Sequence, residues 1–445
     1  MKSVLEFEKK YRDILEDMEE WIYLRFNVGL YLKNRDNIKK ETKKFKWQDK
    51  LLLLYRVKDI FYGFKNWFGR YDYIFLSNSS QRKEIEGEAY HTQFDYIIES
   101  LGADKSLLIE EPTPSHFQNS YTENIVSYSM FALLSRFIPI KGVDFQEIDK
   151  LKELFSSENI TINIKAILKD HREKFTLSKW LLKLYRPKIL FISCGYCKID
   201  IVKSAKELNI LVVEVQHGVV NEVHFGYTSP LLSLEKHYPD IFLSWGMREM
   251  KINNFLTPKV SPIGSYYLEY IKESFQKNRK LSDIIEPYSL VIGVTMQDED
   301  WEFYTLCDVL EDLAQQFTSV VFVIIPRRRD EFHFKEKNII VWRETDCYQT
   351  IMHCDIHLTL YSTCAIEVPS LNVPNLLLNH NNMAQIYYGD VLSSKNTTVG
   401  DIKLLKERIE SFSQLKSDKI AQTNSESFVN GYRKNIEKIV KREFI

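Results

Sequence analysis

The chain has 445 residues, too long for one ordinary core, so its length favours two domains of about 150 to 250 residues each. Hydrophobic residues make up 44%, ample for burial, and 60 Lys and Arg against 61 Asp and Glu leave a formal net charge of −1. That balance excludes a surface built throughout for nucleic acid and confines any anion site to a local patch. Six scattered cysteines do not form a disulfide framework and fit a reducing interior. The N-terminal MKSVLEFEKKYRDILEDMEE has no signal-peptide core, and nowhere do 18 apolar residues run together. The expectation is a cytoplasmic chain.

In chain order, residues 1–70 read as helical, with apolar residues recurring at three and four in FEKKYRDILEDMEEWIYLRF. Between Lys33 and Arg70, twelve basic residues against four acidic ones leave an excess of eight, interleaved with Phe45, Trp47, Phe61, Phe64, Trp67 and Phe68. A pair of helices with solvated lysines and buried aromatics accounts for this. Peripheral contact with the inner face of the cytoplasmic membrane is the alternative.

Short apolar runs follow at 71–77, 106–112, 188–193, 211–216 and 241–246. IDIVKSAKELN, between the third and fourth, reads as a helix ending at Asn209. Strand, helix, strand over about 30 residues, with both strands apolar, is a βαβ unit in a parallel sheet covered on both faces. A second series, at 289–295, 320–326, 339–343, 356–362 and 375–379, is separated by helical stretches such as WEFYTLCDVLEDLAQQF. The fold class is therefore α/β, with two Rossmann-like, doubly wound domains spanning 1–270 and 288–422. The polar, lysine-rich segment near 265–288 reads as the linker, and 423–445 as a helix. Ligands in open α/β sheets bind outside the strand carboxyl ends, so the active site is expected in a cleft between the domains.

Three strand ends carry chemistry. LVVEVQHG delivers Gln216, His217 and Gly218 where a buried strand runs out. A histidine there is placed to take a proton from an attacking hydroxyl, and Gly218 permits a sharp turn or a close ligand. The loop VVNEVHFGYTSP, with His224 and Tyr227, is suited to covering a ligand. In LTLYSTCAIEVPSLNVPNLLLN, Ser362 and Thr363 open a helix whose N–H groups and dipole suit a phosphate, with Glu367 in reach of ribose hydroxyls. VVFVIIPRRRDE releases Arg327 and Arg328 after Pro326, forks that pair with phosphate. Gln297, after the first strand of the second series, is placed to touch donor or acceptor. The one CxxC, Cys194 and Cys197, lacks a second pair or a histidine at finger spacing and reads as strand-end packing rather than zinc.

The succession EVQHG, HFGY, YPDIFLSWG, VSPIG, a strand ending in a Pro-Arg turn, and YSTCAIEVPSLNVPNLLL resembles bacterial surface-polysaccharide (capsule and lipopolysaccharide) glycosyltransferases of the GT-B fold. More distantly it is similar to capsule sialyl- and Kdo-transferases and teichoic-acid glycerophosphotransferases. The resemblance covers about residues 185–395. It implies a first domain for a saccharide or lipid-linked saccharide acceptor, a second for a nucleotide-sugar donor such as a CMP-sugar, and no metal or other cofactor. It makes His217 the base and Ser362, Thr363 and Glu367 the nucleotide-binding turn. In this fold a C-terminal helix often crosses back to the first domain. Where such enzymes commonly carry His-Pro, this chain has Ile325-Pro326, so the arginines substitute, the donor differs, or activity is lost. Other readings are a CDP-polyol phosphotransferase, a sugar-nucleotide epimerase, and a non-catalytic partner in polysaccharide assembly.

Overall fold

The computed structural model describes residues 3–34, 60–78, 81–111, 120–135, 148–296, 300–327, 332–411 and 420–444. The chain divides into two compact units. The first comprises Met1–Ser244, Glu249–Pro262 and Arg433–Ile445, and the second Trp245–Arg248 and Ile263–Tyr432. Among the described residues no helix is long and apolar enough to cross a membrane.

The strands of the first unit are β1 (Tyr73–Asn78), β2 (Arg82–Ile85), β3 (Glu88–His91), β4 (Ser106–Glu111), β5 (Ile125–Ser127), β6 (Ile189–Ile192), β7 (Leu211–Val215), β8 (Ile241–Ser244) and β9 (Lys259–Pro262). β2 and β3 form a separate antiparallel hairpin. The others make one sheet in the order β5-β4-β1-β6-β7-β8-β9, parallel at every pair. Strand order reverses between β1 and β6, where the Ser77 and Ser193 hydroxyls meet at 3.1 Å across the carboxyl ends.

The sheet is apolar because both faces are covered. On one side Leu177, Leu181, Leu182 and Tyr185 of helix Ile164–Tyr185 pack with Ile74, Leu107, Leu190 and Val212. That helix starts where Asn163 Oδ1 accepts from Ala166 N–H (3.1 Å), a cap contributing about 1 kcal/mol. It stops at Arg186, in left-handed conformation (φ 48°), just before Pro187, which cannot continue a helix. A second cluster joins helices Val4–Lys10 and Trp21–Asn34 to Leu151, Phe155, Leu168, Leu231 and Leu256. The C-terminal Phe444 ring packs edge-on against Phe191 of β6 at 5.3 Å.

The second unit holds β10 (Leu290–Thr295), β11 (Val320–Ile325), β12 (Ile339–Val341), β13 (Ile356–Thr359), β14 (Asn375–Leu378) and β15 (Thr397–Gly400). They are parallel in the order β12-β11-β10-β13-β14-β15, which in this unit's own numbering is the 3-2-1-4-5-6 of a dinucleotide-binding sheet. Helix Asp300–Gln316 buries Leu306, Leu310 and Leu313 against Ile292, Val294 and Phe322. Each such side chain contributes about 2 kcal/mol of burial.

The expected linker is not one. Residues Tyr266–Ser274 and Arg279–Ile285 are helices of the second unit, capped by Ser265 and Asn278. Their polar composition reflects one exposed face, while Tyr267, Leu268, Ile271 and Leu281 are buried. The second unit thus starts at Ile263 rather than 288 and runs to Tyr432. Much of the basic stretch, including Phe45 and Trp47, lies outside the described residues; Phe61, Phe64 and Phe68 are exposed and Trp67 packs on the core.

Candidate functional site

In the first unit, β7 ends beside β6, and the two strand ends bring together Cys194, Tyr196, Glu214 and His217. Glu214 is a carboxylate inside a strand, wholly buried. Its Oε1 accepts from Gly195 N–H (2.9 Å) and Tyr227 Oη–H (2.8 Å), while among the described residues Oε2 has no hydrogen-bond partner. Burial pushes its carboxyl up to about 7, against the hydrogen bond from Gly195, the charge of His217 and the hydrogen bond from Tyr227. Residue 195 must be glycine, because a Cβ there would lie 2.4 Å from Glu214 Oε2.

Tyr227 Oη also lies 3.3 Å from His217 Nδ1. The phenol has one proton, which goes to Glu214, so its lone pair faces the imidazole and Nδ1 is the protonated nitrogen. That tautomer leaves Nε2 with a lone pair, the state a general base requires. Burial holds Tyr227 well above the ordinary phenol range, so the relay keeps its proton at neutral pH. His217 is half-buried.

The second histidine serves differently. Burial, then the charge of His217, pushes His224 down to about 4, so it is neutral. Its Nδ1 accepts from Gly226 N–H (3.1 Å), which leaves Nε2–H as a donor. Tyr196 closes the group, with ring centroids 6.2 Å from His217, 5.4 Å from His224 and 5.1 Å from Tyr227.

Gln216 is placed as a brace. It is 1% exposed, its Nε2 donates to Gly218 O (3.0 Å) and Glu249 Oε1 (3.1 Å), and its backbone carbonyl accepts from Gln93 Nε2 (3.0 Å). A side chain so held orients the loop rather than meeting substrate. Gly218 does not adopt a positive φ, and an added Cβ would meet nothing within 4 Å, so the expected sharp turn is not the reason for glycine. The loop carrying Tyr227 is anchored by the N-terminal helices. Buried Arg25 pairs with Glu8 through Nε (2.5 Å) and Nη2 (3.1 Å), and donates to the Phe225 and Thr228 carbonyls on either side of Tyr227.

The two cysteines are not packing residues. Cys197 is exposed and Cys194 half-buried, and Cys194 sits in left-handed conformation (φ 59°) at a cost of about 1 kcal/mol. Interaction with Cys197, then with His217, acidifies the Cys194 thiol despite burial, and Cys197 is pushed up in turn.

In the second unit, order reverses between β10 and β13, and the Ser362–Thr363 turn follows β13. Below it, buried His357 takes Asn375 Oδ1 on Nδ1 (2.8 Å) and Thr295 Oγ1 on Nε2 (2.8 Å). Burial pushes this histidine down to about 4, so it is a neutral tie across β10, β13 and β14. Asn375 Nδ2 donates to Ala365 O (2.6 Å), Asn424 Nδ2 to Ile366 O (2.8 Å), and Tyr388 Oη to the carbonyls of Ser362 and, at 3.1 Å, Tyr361. With carbonyls fixed on the protein side, the N–H groups of the same peptides point the other way.

The expected helix dipole is small, since helix Cys364–Glu367 is one turn, continued as a 3-10 turn to Leu371. Thr363 is its N-cap but makes no capping hydrogen bond; Ser362 Oγ accepts weakly from Cys364 N–H (3.4 Å). Glu367 Oε2 accepts from half-buried Tyr348 Oη, which fixes the carboxylate instead of leaving it to swing. Pro326 is half-buried and Arg327 exposed after β11. Arg328 and Gln297 lie outside the described residues.

Sequence reasoning did not find Glu214, the Arg25–Glu8 pair or the role of Cys194. Only Glu214 had a signal, as an acidic residue in a buried strand, which must be paired or lose its charge.

No protein-family model matches the chain, and no curated protein matches it. Among solved structures it is similar to a glycotransferase of kitacinnamycin, at 13% identity over 84% of this chain and 99% of that one, with a TM-score of 0.50. It is similar also to a putative UDP-N-acetylglucosamine 2-epimerase from Listeria monocytogenes, at 10% identity over 83% of this chain and 95% of that one, with a TM-score of 0.50. The fold is thus α/β with two Rossmann-like units, matching GT-B glycosyltransferase structures.

Proposed function

We propose that the chain is a glycosyltransferase that moves a sugar from a nucleotide-activated donor to a saccharide hydroxyl, in the synthesis of a bacterial surface polysaccharide. The observation that carries this reading is the relay Glu214–Tyr227–His217 at the carboxyl end of β7, which sets the imidazole in the tautomer with a basic Nε2. His217 Nε2 takes the acceptor proton as the hydroxyl attacks, and the buried carboxylate stabilises the imidazolium through Tyr227. The donor belongs to the carboxyl edge of the second sheet. There the peptide N–H groups at Ser362 and Thr363 and the exposed Arg327 suit the phosphates.

The same fold is seen in an epimerase, so the decisive experiment separates the two. CMP, CDP, UDP, GDP and TDP are screened by thermal shift, and the stabilising base selects the sugar nucleotides for a product assay by mass spectrometry. A nucleotide at about 100 times its Kd should stabilise by about 3 kcal/mol. Product that forms only with a saccharide acceptor and carries no phosphate supports transfer. Product without acceptor supports epimerisation, phosphate in the product a polyol phosphotransferase, and binding of no nucleotide a non-catalytic partner.

A further inference from the structure

Proton transfer by His217 leaves the adjoining thiol pair without a role. Cys197 N–H donates to Cys194 O (3.1 Å), closing a 3-10 turn over Gly195–Cys197. A reversal closed in this way holds the two Cα atoms within about 7 Å, the span of a disulfide. The turn is held independently of the thiols. Gly195 N–H is bound by Glu214 (2.9 Å), Lys198 N–H by Gly195 O (2.8 Å), and Lys198 Nζ donates to Ser193 O (2.6 Å). Cys197 and His217 both neighbour the Cys194 thiol and acidify it. Exposed Cys197 gives a small oxidant access, whereas Cys354 is buried, with its thiol pushed up by burial.

We propose that Cys194 and Cys197 form a reversible redox site beside His217, in which a hydroperoxide converts the pair to a disulfide. The Cys194 sulfur attacks the outer oxygen, the O–O bond breaks, and the alcohol or water leaves with a proton. Cys197 sulfur then attacks the sulfenic acid, the S–S bond forms, the S–O bond breaks, and hydroxide departs as water with the Cys197 proton. Two thiols and one hydroperoxide give one disulfide, one alcohol (or water) and one water. Conversion of that sulfur to a disulfide changes the surroundings of the His217 imidazole and so its proton transfer. This last consequence rests on His217 acting as the base; formation of the disulfide does not.

The test uses the full chain, hydrogen peroxide at low molar excess, alkylation and peptide mass spectrometry. The expected result is a 194–197 peptide lighter by two hydrogens and resistant to alkylation. It should form about tenfold faster than any other cysteine is oxidised, and dithiothreitol should reverse it. Cys197→Ser removes only the resolving thiol, and should instead accumulate a sulfenic acid on Cys194 that a cyclic 1,3-diketone traps. Uniform oxidation of all six cysteines, or passage of Cys194 directly to sulfinic acid in the unmutated chain, overturns the proposal. The rate at which diethyl pyrocarbonate modifies His217, read on the same peptide maps, should change on oxidation of the unmutated chain and return with dithiothreitol. An unchanged rate overturns the coupling to His217. These readouts need no donor or acceptor, so they fail separately from the glycosyltransferase reading.

Discussion

The carboxyl edges of the two sheets share a strand order but treat charge in opposite ways. In the first unit an acidic side chain is sealed inside β7 and reaches a histidine through a phenol. In the second, the edge is built on neutral ties, His357 to Asn375 and Thr295, and Arg327 there is exposed. Burial raises the proton affinity of a carboxylate and so suits proton transfer. Exposure keeps a guanidinium solvated until a phosphate arrives, which suits reversible binding. In the proposed function the same backbone plan serves a proton-handling edge and an anion-handling edge, and the side chains at strand ends decide which.

The largest test of that contrast is on the first edge's stability. Glu214 ordinarily titrates near 4.5 and is pushed up to about 7 by burial. Below pH 4.5 it is protonated in both folded and unfolded chains. Between 4.5 and 7 only the folded chain retains the proton, so stability falls with rising pH across that window, by up to about 3 kcal/mol, and is flat above it. Glu214→Gln should remove that part of the slope, read by denaturant unfolding at pH 5 and pH 8. Asp95 and Glu110, raised by burial to about 6 and about 7, add slope of the same sign, and His224 and His357, lowered to about 4, add slope of the opposite sign below pH 6.5, so the readout is the difference between variant and unmutated chain. An unaltered slope in the variant would remove the buried carboxylate from the account.

His217→Ala should lower transfer by a factor of about 100 or more while nucleotide-induced thermal shifts persist. Tyr227→Phe breaks the relay but keeps the ring packed on Phe242, so kcat should drop about tenfold with KM little changed. Arg327→Ala should do the reverse, weakening nucleotide binding by up to about tenfold with kcat at saturation retained, since an exposed charged contact is worth little more. Smallest in stability is Gly218→Ala. Nothing among the described residues meets the added methyl, so unfolding free energy should move by less than about 0.5 kcal/mol, and any loss of kcat reports a ligand at that position.

The parallel strands were legible because runs such as IFLS and VVFVII are apolar on both faces, which only a sheet covered on both sides tolerates. β9 and β15 were not, since KVSP and TTVG are short edge strands with mixed burial that resemble loops. His217 was legible for the same reason as the strands: a histidine directly after a buried run stands at the carboxyl edge. The helices at 266–285 misled, because amphipathic helices with long polar faces have the composition of linkers. The first 34 residues carried no readable function, for Arg25 matters only through carbonyls some 200 positions away.

Sequence alone determined the α/β class, the order of most strands and the strand end that carries the histidine, since burial periodicity and turn residues act locally. Tertiary structure decided that Glu214 reaches His217 through Tyr227, and that Cys194 lies beside it. Those choices depend on which strands pair and which loop folds over them, and pairing is a property of the whole sheet rather than of any short stretch.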